Sequence, residues 1–306
     1  MTTKFREHLS REQDALLRAE LLRIAAAEHP LSGRALYYRA VLASSLPFLT
    51  KDADGSRRSE RLVAGRCLEL RRSGAMPWEW ITDPSRASYE VERFSDPAAF
   101  AATAPWYYRR DLWAGQGQRP VVLVEKAAAI STVLQHCNAA GVDVWATKGY
   151  GSATQLKDIA LAAHPLLERG QHHTVLVLAD FDPSGWGWPQ SAEAEIRSHL
   201  DRLGPVEAEI SFERLLMTEE QAAGLGPQVA LRAPSDKDAR TKAFLERFDF
   251  DAADEVCVEL DALSPSEVRS LLTDRFEELF DGDLADERAL QQADRDRIRE
   301  ALAALA

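Results

Sequence analysis

The sequence predicts an α/β protein in two parts, a mostly helical N-terminal unit followed by a parallel-sheet domain. Three observations predict this. The N-terminal third consists of amphipathic segments broken by Pro, Gly and Asp turns. After "WAGQGQRP" (Trp113–Pro120) the pattern switches to short apolar runs alternating with helical segments. Each apolar run has strand length, and none approaches a membrane span.

Residues 11–28 read as a helix with Leu16, Leu17, Ala19 and Leu21 on a broad apolar face. "HPLSG" breaks it, and Ser32 is the expected N-cap of a second helix running to about Leu46. Pro47 and "TKDADGSRR" form a turn, and a third helix spans Glu60 to Arg72, ended by Gly74 and Pro77. Three short helices with a turn-rich extension suggest a helix-turn-helix or winged-helix unit. It carries Arg57, Arg58, Arg61, Arg66, Arg71, Arg72 and Arg86, with Trp78 and Trp80 just beyond the third helix. Next, "VVLVE" (121–125), "VDVWA" (142–146) and "TVLVLAD" (174–180) are expected strands, with helices at about 126–139 and 152–164 between them. "EAEISFE" and "EVCVEL" read as further strands, and acidic helices are expected near 264–280 and 285–305. The boundaries fall at residues 1–112, a linker at 113–119, and 120–306.

Charge is unevenly distributed. The net charge is −12, yet residues 1–115 hold 18 Lys and Arg against 15 Asp and Glu, leaving 19 against 34 in the remainder. The first part can track phosphates and the second can hold cations. Cys67, Cys137 and Cys257 stand apart without metal-ligand spacing, as suits a reducing cytoplasm. The N-terminus "MTTKFREHLSREQD" does not read as a signal peptide, and no membrane association is expected.

Two constellations carry chemistry. Glu125 ends the first strand of the expected sheet, and Asp180 ends a later one, with Asp182 in "ADFDPSG". The carboxyl ends of parallel strands border the ligand crevice. Three converging carboxylates need a cation, and Mg²⁺, with its preference for hard oxygen ligands, is the natural occupant. An Asp after a buried strand also serves as a helix cap, and both roles are open at this point. Gly149 and Gly185 lie in strand-to-helix turns where a backbone passes close to a phosphate, and Lys148 is a further phosphate candidate.

The second constellation is "RALYY", Arg34 to Tyr38. Residues four apart share a helix face, so Arg34 and Tyr38 pair. Leu36, Tyr37, Ala40 and Ala43 form the core side, which leaves Tyr38 facing outward. A second Tyr-Tyr-Arg, at Tyr107–Arg109 in "PWYYRRDLW", reads as an aromatic seam between domains. His172 and His173 precede a strand and read as solvated.

The Glu-Lys of "VEKAAAISTVL" (Glu125, Lys126) combined with "DFDPSG" resembles the Toprim domain. Together with "RALYY", most of the chain is similar to the A subunit of type IIB DNA topoisomerases (topoisomerase VI), above all its small stand-alone mini-A relatives. That resemblance implies a winged-helix DNA-binding domain over 1–112 and a Toprim metal-binding domain with a C-terminal helical extension over 120–306. It implies Tyr38 as nucleophile, with Arg34 and Glu125 as catalytic partners. Glu125, Asp180 and Asp182 would be ligands of Mg²⁺, with Mn²⁺ a substitute. The implied reaction is cleavage and rejoining of double-stranded DNA through a 5′-phosphotyrosyl link. The implied assembly is a homodimer in which each tyrosine serves the other protomer's metal site. A separate subunit would supply ATPase activity, as no Walker A loop is present. A cytoplasmic, nucleoid-associated location follows. The alternative on the same scaffold is a metal-dependent nuclease similar to the Wadjet plasmid-defence subunit, with water as nucleophile. Three positions depart from the family pattern: Ala35 follows the Arg, Phe181 separates the aspartates, and Trp186 and Trp188 crowd the next helix start.

Overall fold

The computed structural model describes residues 9–51, 57–82, 91–125, 127–147, 153–234 and 239–303, with the backbone alone for 127–132. Arg86, Lys126, Lys148 and Gly149, singled out above, lie outside these residues.

The N-terminal helices form where the periodicity predicts. Ser10 and Gln13 build a capping box at the start of α1 (Arg11–Glu28), which buries Leu17, Leu21, Ile24 and Ala25. A two-residue strand β1 (Leu31–Ser32) leads into α2 (Gly33–Leu42), capped as expected by the Ser32 hydroxyl, which accepts from Ala35 N at 3.0 Å. The helix stops short of Leu46. Pro47 disfavours helical geometry in the residue before it, and Ser44 and Ser45 favour turns. α3 (Arg58–Arg72) and β2 (Ile81–Thr82), which pairs parallel with β1, complete this part. Two of its arginines are structural: Arg66 pairs with Asp14 and Glu69, and Arg71 lies 4.2 Å from the Trp78 ring centroid. α4 (Pro97–Thr103) and a single turn at Ala104–Trp106 follow.

The expected linker is packed. Trp113 is fully buried, donates through Nε1 to Ala140 O at 2.8 Å and stands edge-on to Phe280, and the strand already begins at Gln118. A large aromatic cannot be left in water cheaply, so the chain folds the segment inward.

The sheet domain runs β3 (Gln118–Val124), α5 (Ala127–Ala139), β4 (Asp143–Ala146), α6 (Ala153–Leu167), β5 (His172–Leu178), α7 (Pro183–Leu203) and β6 (Ile210–Leu216). The four strands are parallel in the order β4-β3-β5-β6. Alternation along β3 and β5 divides the core. Val121, Leu123, Val175 and Val177 face α6 and α7, whereas Val122, Val124, Leu176 and Leu178 join a cluster that includes the N-terminal helices. Both faces are thereby covered, as an all-parallel sheet requires. After β6 come α8 (Glu219–Leu225), β7 (Leu231–Arg232), α9 (Ala239–Phe248) and β8 (Glu255–Cys257), with β7 and β8 antiparallel. A turn at Leu260–Ala262, then α10 (Pro265–Leu279) and α11 (Leu284–Ala303), ends the described chain.

Candidate functional site

The strand order places a topological switch between β3 and β5: their crossovers run in opposite directions, leaving a crevice beyond their carboxyl ends. Glu125 follows β3 directly and Asp180 follows β5, so both predicted carboxylates border that crevice. They are 6% and 3% exposed. Their positions are interlocked: Glu125 N donates to Leu178 O at 3.0 Å, and Asp180 N donates to Glu125 Oε2 at 3.2 Å. Asp180 Oδ1 in turn accepts from Leu260 N at 2.9 Å.

Asp182 takes the role of helix cap. It is the N-cap of α7, and its Oδ1 accepts from Gly185 N at 2.6 Å. Gly185 is required by a protein group rather than a phosphate, because a Cβ there would sit 2.3 Å from Asp180 O. Phe181, between the aspartates, is buried among Trp186, Phe244, Phe248 and Phe250. Its backbone forms a bridge to Val258. The departure at Phe181 is thus a packing feature that fastens the Asp180–Asp182 loop to the C-terminal part of the chain.

Arg214, on β6, was not singled out from the sequence. Its guanidinium donates to Ala179 O (3.4 Å), Asp180 O (3.3 Å), Met217 O (3.1 Å) and Gly185 O, and lies over the Trp186 ring. Burial lowers its pKa to about 10, while Glu125, Asp182 and Asp180 favour its charge. Arg214 is therefore a resident cation beside the carboxylates. The signal for it was the one basic residue, beside Glu213, inside "ISFERLL" toward the crevice end of a strand.

Three carboxylates beside a strand-end crevice have the donor chemistry that Mg²⁺ takes. They are not gathered as ligands here: among the described residues no three His, Cys, Asp or Glu side chains form a group able to hold a metal ion. Backbone N–H groups engage one oxygen of each carboxylate, and Arg214 supplies part of the neutralising charge.

Tyr38 departs from expectation. It is 1% exposed, as buried as Tyr37, whose hydroxyl donates to Thr50 O at 3.2 Å. The helical spacing holds, with the Arg34 guanidinium 5.9 Å from the Tyr38 ring centroid. The outward side of α2 is not solvent, however, because the Leu260–Ala262 turn and the Pro227–Val229 turn cover it. Glu259 receives Arg34 at 2.5 Å, Asp261 lies 3.6 Å from Arg34 Nε, and Lys51 Nζ stands 4.7 Å from the Tyr38 ring centroid and 3.9 Å from Glu259. Burial first, then the negative charge of Glu259, raises the Tyr38 pKa, while Arg34 pulls it down. Burial opposes the charge on Arg34, but Glu259, Tyr38 and Asp261 outweigh that and hold it above its ordinary value.

Glu259 is the second residue that sequence reasoning missed. It belongs to a three-residue segment that serves both constellations. Val258 pairs with Phe181, Glu259 binds Arg34, and Leu260 binds Asp180.

The remaining expectations sort by burial. His173 is buried rather than solvated, because its place in the central strand β5 turns it inward. Tyr108 forms part of a seam with α11, its hydroxyl donating to Asp294 at 3.0 Å, while Tyr107 is exposed. No described helix is long and apolar enough to cross a membrane. No family model, curated protein or solved structure matches the chain, so the functional reading rests on these residues and their geometry.

Proposed function

We propose that this protein cleaves and rejoins double-stranded DNA at the crevice beyond β3 and β5, in the manner of a type IIB topoisomerase A subunit. The observation that carries the reading is the shared segment: the tyrosine–arginine pair and the strand-end carboxylates meet on Val258–Leu260. A nucleophile and a phosphate-anchoring site must lie close together for in-line displacement. In the proposed step the Tyr38 oxygen bonds to phosphorus and the 3′ oxygen leaves. A proton passes from the phenol and one reaches the 3′ hydroxyl. Glu259 is the carboxylate beside the phenol that accepts the first, and Arg34 stabilises the phenolate. Rejoining is the reverse reaction and needs no ATP for bond energy. For Glu125, Asp180 and Asp182 to hold Mg²⁺ or Mn²⁺, the three carboxylates, which are not gathered as ligands in this structure, would have to draw together; such an ion would supply Lewis-acid stabilisation of phosphate oxygens. In this reading Tyr38 and the carboxylates of one protomer form one site, in place of the exchange between protomers that the resemblance implied, and a homodimer would bring two such sites to opposite strands. Coupling to ATP would require a separate subunit, and the site of action would be the nucleoid.

The burial of Tyr38 favours a second reading on the same scaffold, a nuclease in which water attacks and Tyr38 only packs. Supercoiled plasmid incubated with the protein and Mg²⁺ or Mn²⁺, then analysed with and without protease digestion, separates the two. The topoisomerase reading expects DNA breaks that retain protein, lost in Tyr38→Phe and in Glu125→Gln. Protein-free breaks that survive Tyr38→Phe select the nuclease. Plasmid unchanged with either metal overturns both.

A further inference from the structure

The "PWYYRRDLW" stretch contributes to a pocket of about 540 Å³ that the functional reading does not use. It lies between the last turn of α5, one stripe of α11 and the Ala104–Trp106 turn. Arg109, Arg288 and Arg295 line it, and no carboxylate does. In a chain of net charge −12 that absence is unusual, and the neighbouring arginines show the ordinary case. Arg110 pairs with Glu287 and Asp294, Arg297 with Asp294, and Arg299 with Asp296. The three pocket arginines make no ion pair among the described residues.

Each is instead oriented by backbone carbonyls. Arg288 Nε donates to Ala139 O at 3.0 Å, Arg295 donates to Tyr108 O at 3.2 and 3.3 Å, and Arg109 donates to Trp106 O and Tyr108 O. These contacts use one edge of each guanidinium and leave N–H groups for a ligand. Arg288, Gln291 and Arg295 recur at helical spacing, so the stripe points one way. Burial first, and then the charge of Arg109, lowers the Arg295 pKa, as like charges gathered without an acid must. The pocket also has an apolar wall: Trp106 is 56% exposed and Leu134 40% exposed. Asn138 adds an amide able to bond a heterocycle edge. The pocket sits at the far end of α5 from Glu125, about 20 Å away along a 13-residue helix.

We infer that this pocket binds a phosphorylated nucleoside, its base stacked on Trp106 and its phosphate held by Arg109, Arg288 and Arg295. Arginines recognise phosphate by forked hydrogen bonds, and a base stacks on an exposed indole. The ligand can come from two sources, a free nucleotide or the phosphorylated end of a strand. The inference is independent of the cleavage chemistry proposed above, because the two share no residue.

Calorimetric titration of the full chain, without divalent ions and at matched ionic strength, tests it. The probes are AMP, ATP, inorganic phosphate and a thymidine tetranucleotide with and without a 5′ phosphate. Saturable binding of a nucleotide or of the phosphorylated tetranucleotide is expected, with inorganic phosphate about tenfold weaker. Trp106→Ala, at an exposed position, weakens binding about tenfold with an unchanged circular dichroism spectrum, and Arg288→Ala/Arg295→Ala removes it. Glu125→Gln leaves binding unchanged. Preference for the phosphorylated tetranucleotide assigns the ligand to a strand end, and preference for AMP or ATP assigns it to the free nucleotide pool. No saturation below about 1 mM with any probe, or binding that survives both the Trp106 and the double arginine variants, overturns the inference.

Discussion

His173 shows what one buried side chain does to the protein's response to pH. It lies in β5 with 6% of its surface exposed, and burial first, then the nearby charge of Arg119, lowers its pKa to about 4. In the unfolded chain the same ring titrates near 6.5. The unfolded state therefore binds the proton first on acidification. The contribution is fully present above about pH 6.5 and is lost as pH falls toward 4, by on the order of 3 kcal/mol. Urea denaturation from pH 4 to 7 should show this slope in the wild type and a flatter one in His173→Leu; identical slopes would exclude His173 as the source. The same residue marks where sequence reading stops. Being next to a strand is legible locally, but facing into the core depends on what covers the sheet. Tyr38 repeats the point. Its spacing from Arg34 was legible, whereas its burial is produced by Glu259 and its neighbours, 225 residues beyond Arg34. Asp182 is the opposite case: "DPSG" carries the cap signal within four residues.

Among the elements, α10 has the closest bearing on the candidate site. Its N-cap, Ser264, accepts from Glu267 N at 3.1 Å, and Glu267 Oε2 accepts from Ser264 N at 2.8 Å. This capping box begins directly after the turn that follows Glu259, and it fixes where that turn ends. Ser264→Ala should cost about 1–2 kcal/mol, because the cap is buried as well as lost. Chemical denaturation checks this; a change below about 0.3 kcal/mol would mean the turn is held from elsewhere. Elements with strong local periodicity were legible, including α1, α3 and the β3–α5–β4–α6–β5 alternation. β1, β2 and β7 were not, because two residues carry no period. The order β4-β3-β5-β6 was not legible either. It is set by crossovers, and it decides that Glu125 and Asp180 are neighbours.

At the scale of the whole molecule, one continuous buried cluster runs from α1, α2 and α3 through one face of the sheet to α10. Apolar surface shared in this way couples the parts, because neither can unfold without exposing the other's contacts. Urea unfolding followed by far-ultraviolet circular dichroism and by tryptophan fluorescence should give one coincident transition. Two separated midpoints would mean that the N-terminal helices unfold on their own. The class of fold was legible because both halves announce their periods. The shared core was not, since contacts between the N-terminal helices and the C-terminal turn join opposite ends of the chain. The segment Val258–Leu260 gives that joining a thermodynamic meaning. It bonds Phe181, Arg34 and Asp180 through successive residues, so the two constellations share one short stretch of backbone. A ligand group that drew Arg34 from Glu259 would act one residue away from the Leu260–Asp180 bond. Were the two events coupled, reciprocity would make a ligand that drew on Asp180 change the hold on Arg34 by the same free energy.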